Sequence, residues 1–396
     1  MPGVLEGVKV LDMASMWATP LAGAYLADQG ADVIKVEPPW GDLARRTFSS
    51  PPMANGESRS WLMAGRGKRG IAVDIACPEG REIIHRLVRN GDVLLTNFRV
   101  EVARRLGYDY ETLCNLNPGL IYVRVSAYGD RGPYADQRGY DRIFQALSGM
   151  MRQSTSGAPP ATAGVWAADM SGPWAVCYGV ALALLHRERT GEGQVVETSL
   201  LEMALSMQAV DLIRVEREPV SEGLGEHYSS QALFIPYQCS DSRWINIVVI
   251  SDKEFAGLCQ ALGEPHLSND PKFATPLDRV KNSRTLYDLL SGLFSTRPLD
   301  QWLDTLKQHD VPCSSVLSRQ EVFDSAQVEA NQMMVCLEYP EIGKTEMVNV
   351  PVRLSDRPGR VQRRAPLLGE HTEEVLKELG YTAEEIALLF QKGPVR

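Results

Sequence analysis

The sequence predicts an α/β fold: a large Rossmann-like parallel sheet, with a smaller α+β unit further along the chain. Three features carry that expectation. Strand-like runs recur through the first third, at residues 8–11, 31–37, 71–75, 92–96 and 120–126. Helix-length segments separate them, the spacing expected of parallel strands covered on both faces. From near Phe234 the pattern changes to one strong strand followed by several helices.

Each element has its own local signal. Residues 20–27 open a helix with Pro20 and close it before Gly30. Pro38-Pro39 stops the second strand. The helix from Pro78 sets Ile83, Ile84, Leu87 and Val88 on one face, and a short helix ends at Leu106-Gly107. Residues 174–185 are apolar or small throughout, predicting a helix buried nearly all round, with Pro173 at its first position and Gly191 at its stop. A strand over 194–199 and a helix over 201–215 follow. Around Pro219, Gly223 and Gly225 the periodicity dissolves, so 217–231 reads as a linker or a loop closing over a site. The second unit has a strand at 244–250 and helices at 254–262, 286–294 and 301–309. From about Pro358 the chain ends in amphipathic segments at 373–379 and 383–389.

Composition narrows the function. A net charge of −9 supplies no cation excess to hold nucleic acid or an anionic membrane, so an anionic ligand needs a local basic cluster. No run approaches the eighteen or so unbroken apolar residues of a membrane span, and the N-terminus lacks a signal-peptide pattern. The seven cysteines are scattered with no CxxC pair, as in a reduced, cytoplasmic protein. The first strand is not followed by GxGxxG, and Walker, HExxH and GxSxG motifs are missing. No metal site is indicated.

What the residues leave is an anion-binding reading. Pro20 places a helix N-terminus just after the first strand, where backbone N–H groups favour negative charge. The loop Gly65-Arg66-Gly67-Lys68-Arg69-Gly70, with Arg104, Arg105 and Arg138, is either a phosphate site or solvated surface. Asp169, just ahead of the apolar helix, is either a helix cap or a functional carboxylate. Met16, Trp17, Met150, Met151 and Trp166 are either an apolar acyl pocket or core.

Taken in order, a set of short blocks resembles the family III CoA-transferases, the group containing formyl-CoA transferase and carnitine CoA-transferase. The blocks are Gly7-Val-Lys-Val-Leu-Asp12, Leu26-Ala-Asp-Gln-Gly-Ala-Asp-Val-Ile-Lys-Val-Glu37, Gly67-Lys-Arg-Gly-Ile71 and Asp92-Val-Leu-Leu-Thr-Asn-Phe98. Leu116-Asn-Pro-Gly-Leu-Ile121, Tyr140-Asp141 with Gln145-Ala146, Arg189-Thr-Gly-Glu-Gly-Gln194, Val311-Pro-Cys313 and Ala365-Pro-Leu-Leu-Gly-Glu-His371 complete the set. The resemblance implies that Asp169 is a covalent nucleophile. With an ordinary pKa near 4 it would be ionised at neutral pH and need no partner base. The implied reaction moves CoA from an acyl-CoA donor to a free carboxylic acid through an aspartyl anhydride and an aspartyl-CoA thioester, with CoA as substrate and no permanently bound cofactor. CoA contacts carried over by position are Trp17, Ala18, Val73, Asn97, Phe98, Arg105 and Arg138. Pro38 and Ala76 depart from the basic residues of a family member, so the adenine-nucleotide end is expected to be held differently.

The resemblance also implies two interlocked copies forming a homodimer. Each has a large CoA-binding domain over 1–206 and 345–396, linkers over 207–227 and 326–344, and a small domain over 228–325. Two rival readings stand: an acyl-CoA racemase or epimerase of the same fold, and a non-catalytic CoA-binding subunit of a heteromeric transferase. In racemase-like relatives a histidine precedes the aspartate where this chain has Tyr140, and a tyrosine is a poor base at neutral pH.

Overall fold

The computed structural model describes residues 3–47, 53, 57–151, 159–216 and 232–396. The segment 217–231, including Gly223 and Gly225, lies outside the described residues. The chain divides into two compact units, one of residues 1–208 with 329–396 and one of residues 209–328.

The first unit is built on strands β1 (Lys9–Asp12), β2 (Asp32–Glu37), β3 (Arg69–Ala72), β4 (Val93–Thr96), β5 (Ile121–Ser126) and β6 (Val195–Ser199). They form one sheet in the order β3-β2-β1-β4-β5-β6, every pairing parallel. This is the doubly wound arrangement, whose strand order reverses between β1 and β4. Successive side chains alternate between faces, so neighbouring residues feed two different cores. Val10, Val33, Val93, Leu95 and Val123 pack with Ala22 and Leu26 of α1 (Ala18–Asp28) and with Val176 and Val180 of a long helix, α7 (Ala167–Thr190). Leu11, Ile34, Leu94 and Tyr122 face the other way, onto Ile83, Ile84 and Leu87 of Pro78–Arg89 and onto Val375, Leu376 and Ile386 near the C-terminus. The C-terminal residues also meet β3: Val395 bridges Val73, and Thr372 Oγ1 accepts the Ala72 N–H at 3.1 Å. Both ends of the chain thus belong to one unit.

The second unit packs an antiparallel sheet of Pro236–Gln238, Trp244–Ile247 and Cys313–Ser315 against helices at Asp252–Ala261, Ser283–Phe294 and Leu299–Gln308. Phe255, Phe294, Trp302 and Tyr237 fill its core, and the Trp302 indole N–H donates to the Phe294 carbonyl at 2.8 Å.

Several expectations are corrected. The apolar helix starts at Ala167, six residues before Pro173, so Pro173 lies inside it. It is not buried all round: Trp174, Tyr178, Leu182 and Leu185 form an exposed apolar stripe along one side. By length and composition α7 passes for a membrane span, yet its other side packs on the sheet and on α1. The helix expected over 201–215 ends at Ser206. Residues 334–348, part of which read as linker, form an antiparallel hairpin of Met334–Tyr339 and Gly343–Val348.

Candidate active site

The carboxyl ends of β1 and β4 open into a cleft of about 670 Å³ at the point where the strand order reverses. Ligands of open α/β sheets bind at that position. Its walls come from the β1–α1 loop (Ser15 to Thr19), from Asn97 to Glu101 with Arg104, from residues 135–140, and from Asp169 and Leu200.

A buried ionic lattice shapes the β1–α1 loop. Lys68 Nζ donates to Asp12 Oδ2 and to the Pro20 carbonyl, both at 2.6 Å. Lys35 Nζ lies 3.2 Å from Asp42 Oδ2 and 3.8 Å from Asp12 Oδ1. Asp42 Oδ1 then accepts the Ser15 hydroxyl at 3.0 Å and the Met16 N–H at 3.2 Å. Lys35 and its neighbours hold the Asp42 carboxyl below its ordinary range in spite of its burial. Met16 has a positive φ of 72°, a conformation that costs a non-glycine residue of order 1 kcal/mol or more and persists where its surroundings impose it. The Asp42 clamp is that imposition, and it delivers Trp17 and Ala18 to the cleft at the head of α1.

The basic loop does not form a phosphate site. Arg66 Nη2 reaches Asp28 Oδ2 at 2.7 Å, Lys68 reaches Asp12, and Arg69 meets Asp32, Glu374 and Glu378. All three cations are buried and spent inside the fold.

The other expected site residues separate into groups. Asn97 lines the cleft by clamping the β1–α1 loop: its Oδ1 accepts the Ser15 N–H at 3.1 Å and its Nδ2 donates to the Ser15 carbonyl at 2.8 Å. Phe98 lines the cleft and packs toward the core. Arg138 is exposed on its wall. Arg105 is exposed at the end of α4 (Val100–Leu106), and it is Arg104, one residue earlier, that lines the cleft. Val73 is 1% exposed and belongs to the core. Met150 packs with Phe144 and Ala168, whereas Trp17 meets Trp166 edge to face, ring centroids 5.4 Å apart.

Asp169 sits in the first turn of α7, and the cap position belongs to Trp166. The capping is done from outside by Asp141, the first residue of α6 (Asp141–Leu147). Its Oδ1 accepts the N–H groups of Ala168 at 2.8 Å and Asp169 at 3.2 Å. Gln145, one turn on, donates Nε2 to Asp141 Oδ2 and to the Val165 carbonyl, the latter at 2.9 Å. The Asp169 carboxylate is therefore left uncommitted, with no hydrogen-bond partner among the described residues. Separately, Pro173 has no N–H to donate to the Asp169 main-chain carbonyl four residues earlier. Burial, and then the nearby Asp141 charge, push the Asp169 carboxyl up to about 7. The expectation of an aspartate ionised well below neutrality is corrected accordingly. Asp141 was visible in sequence only as one block of the resemblance, because a cap reaching across 28 positions has no local signature.

No group of three or more His, Cys, Asp or Glu among the described residues is placed to hold a metal ion. Fold and cleft together define a doubly wound α/β protein with arginines and an uncommitted, protonatable carboxylate at its switch point. The chain belongs to CoA-transferase family III, whose description matches residues 5–372. It is 34% identical to the succinyl-CoA–L-malate CoA-transferase beta subunit of Chloroflexus aurantiacus, over 96% of both chains. It is 35% identical to a succinate–glutarate CoA-transferase of Agrobacterium fabrum, over 95% of both. A (R)-2-hydroxy-4-methylpentanoate CoA-transferase of Clostridioides difficile is 30% identical over 97% of both. Among solved structures, a CAIB/BAIF family protein from Brucella suis superposes with a TM-score of 0.84 at 31% identity, covering 96% of this chain and all of that one.

Proposed function

We propose that this enzyme moves CoA from an acyl-CoA donor to a free carboxylic acid, with Asp169 as the group that carries CoA between them. The observation that supports this most directly is the Asp169 carboxylate itself, exposed to the cleft, unpartnered and fixed by backbone bonds to Asp141. Ionised Asp169 attacks the thioester carbonyl of the donor, forming an aspartyl–acyl anhydride and releasing CoA thiolate. The thiolate attacks the aspartyl carbonyl, expelling the donor acid and leaving an aspartyl-CoA thioester. The acceptor carboxylate reverses the sequence. A carboxylate lifted to about 7 is a stronger nucleophile once ionised than an ordinary aspartate. Its half-buried setting limits hydrolysis of the acyl intermediates.

The head of α1, Arg104 and Arg138 form the wall that would take the phosphates of CoA. The bare apolar stripe of α7 supports a homodimer that covers it, and the seven unpaired thiols support a cytoplasmic setting. The test is chemical trapping. Wild type incubated with acyl-CoA and then hydroxylamine should become inactive and carry a hydroxamate at Asp169 by peptide mass spectrometry. Product formation without any adduct at Asp169 would remove the covalent route, as would full activity in Asp169→Ala.

A further inference from the structure

Arg142 stands one residue beyond Asp141 and has a setting that the transfer chemistry leaves unused. It is half-buried, and its guanidinium lies over the Trp166 ring, 4.5 Å from the centroid. One of its nitrogens donates to Gln145 Oε1 at 3.2 Å, an oxygen that also accepts the Ala163 N–H at 3.0 Å. No carboxylate among the described residues lies within ion-pair distance of it. Its neighbour Asp141 is not a counter-ion, because both Asp141 oxygens are taken by the Ala168 and Asp169 N–H groups and by Gln145. Guanidinium carries five N–H donors, so most of this fork is unspent in a place where water is partly excluded. A half-buried cation in that condition calls for an anion.

The indoles give its position meaning. Trp166 meets Trp17 edge to face, and Trp17 lines the same cleft as Asp169. Apolar rings thus run from the cleft that holds the reactive carboxylate to the unspent cation.

We infer that Arg142 is a specificity-determining residue that holds the second, unreacting carboxylate of a dicarboxylic acid, with the carbon spacer lying along Trp17 and Trp166. The inference rests on the transfer reading above for the position of the reacting end. A planar fork matches a carboxylate with two parallel hydrogen bonds, which a monocarboxylic acid cannot supply at its apolar end. Sites built to bond a polar group discriminate strongly against analogues that lack it.

The experiment compares binding of glutarate and butyrate to the full chain saturated with CoA, by isothermal calorimetry, in wild type, Arg142→Met and Arg142→Lys. Methionine keeps an unbranched stem against Trp166, and lysine keeps the charge without the fork. Wild type should prefer glutarate to butyrate at least tenfold. Arg142→Met should lose that preference with butyrate affinity unchanged, and Arg142→Lys should recover part of it. Circular dichroism should show both variants folded. Equal affinity of wild type for the two acids, no measurable glutarate binding, or an Arg142→Met protein that keeps the preference would each overturn the inference. CoA transfer is measured separately with succinyl-CoA and butyryl-CoA donors. Transfer that proceeds without any dicarboxylate preference sinks Arg142 and spares the transfer reading. An Arg142-dependent preference in a protein that transfers no CoA does the reverse.

Discussion

Replacing Asp169 with asparagine should make the protein more stable while disabling it. The carboxyl is lifted from 3.8 to about 7 in the folded chain by burial and by Asp141. A folded-state pKa above the unfolded one means the native protein holds the proton more tightly. Stability is therefore unaffected by this group below about pH 4, falls as pH rises from there to about 7, and is lowest above it. A gap of that size corresponds to at most about 4 kcal/mol, and water in the open cleft reduces the working figure to about 2 kcal/mol. Asparagine has nearly the same shape and no charge, so it removes the penalty. In a unit of this size about 2 kcal/mol raises the melting temperature by roughly 4 °C. Differential scanning calorimetry at pH 5 and pH 8 reads the effect directly. The Asp169→Asn gain should be present at pH 8 and shrink toward pH 5. A variant equal to or weaker than wild type at pH 8, or a gain independent of pH, would refute the account of a strained buried carboxylate.

Four further outcomes are expected. The pH profile of kcat/KM should rise with a midpoint near 7, as the proposed role of ionised Asp169 requires, and Asp141→Asn should move that midpoint downward by removing the neighbouring charge while keeping an acceptor oxygen for the helix. Asp141→Ala, which removes that acceptor as well, should cost about 1–2 kcal/mol in urea unfolding by uncapping α7. Arg104→Ala and Arg138→Ala should each weaken CoA binding about tenfold by calorimetry in a salt-dependent way, whereas Arg105→Ala should change it less than twofold. Lys68→Met should destabilise by about 3–5 kcal/mol in denaturant titration, because Asp12 is 0% exposed and would lose its 2.6 Å partner.

Local pattern and tertiary pairing were not equally legible. The strands of the parallel sheet are readable to within a residue or two at most ends because alternation and turn residues are properties of adjacent positions, and in the same way Gly107 adopts the left-handed conformation that ends α4, whereas the strands at 236–238, 313–315 and 334–348 carry too short or too polar a pattern to stand out. Local rules start α7 at Pro173, a good first residue, and only the Asp141 cap, far away in sequence, lets the helix begin earlier at Ala167. The basic loop was open to two readings for the same reason. A run of Arg and Lys carries no mark of whether its partners are solvent, a ligand or, as here, Asp12, Asp28 and Asp32.

By itself the chain of residues determined the alternation of strand and helix, the parallel sheet, the family, and the position of Asp169 ahead of an apolar helix. All of these depend on order and spacing along one dimension. The tertiary structure decided which cations are exposed and which are buried in pairs, that Arg104 rather than Arg105 lines the cleft, and that burial beside Asp141 raises the Asp169 carboxyl. The physical reason is that charge state and availability depend on what lies within a few ångströms, and those neighbours are brought together from positions that sequence distance does not reveal.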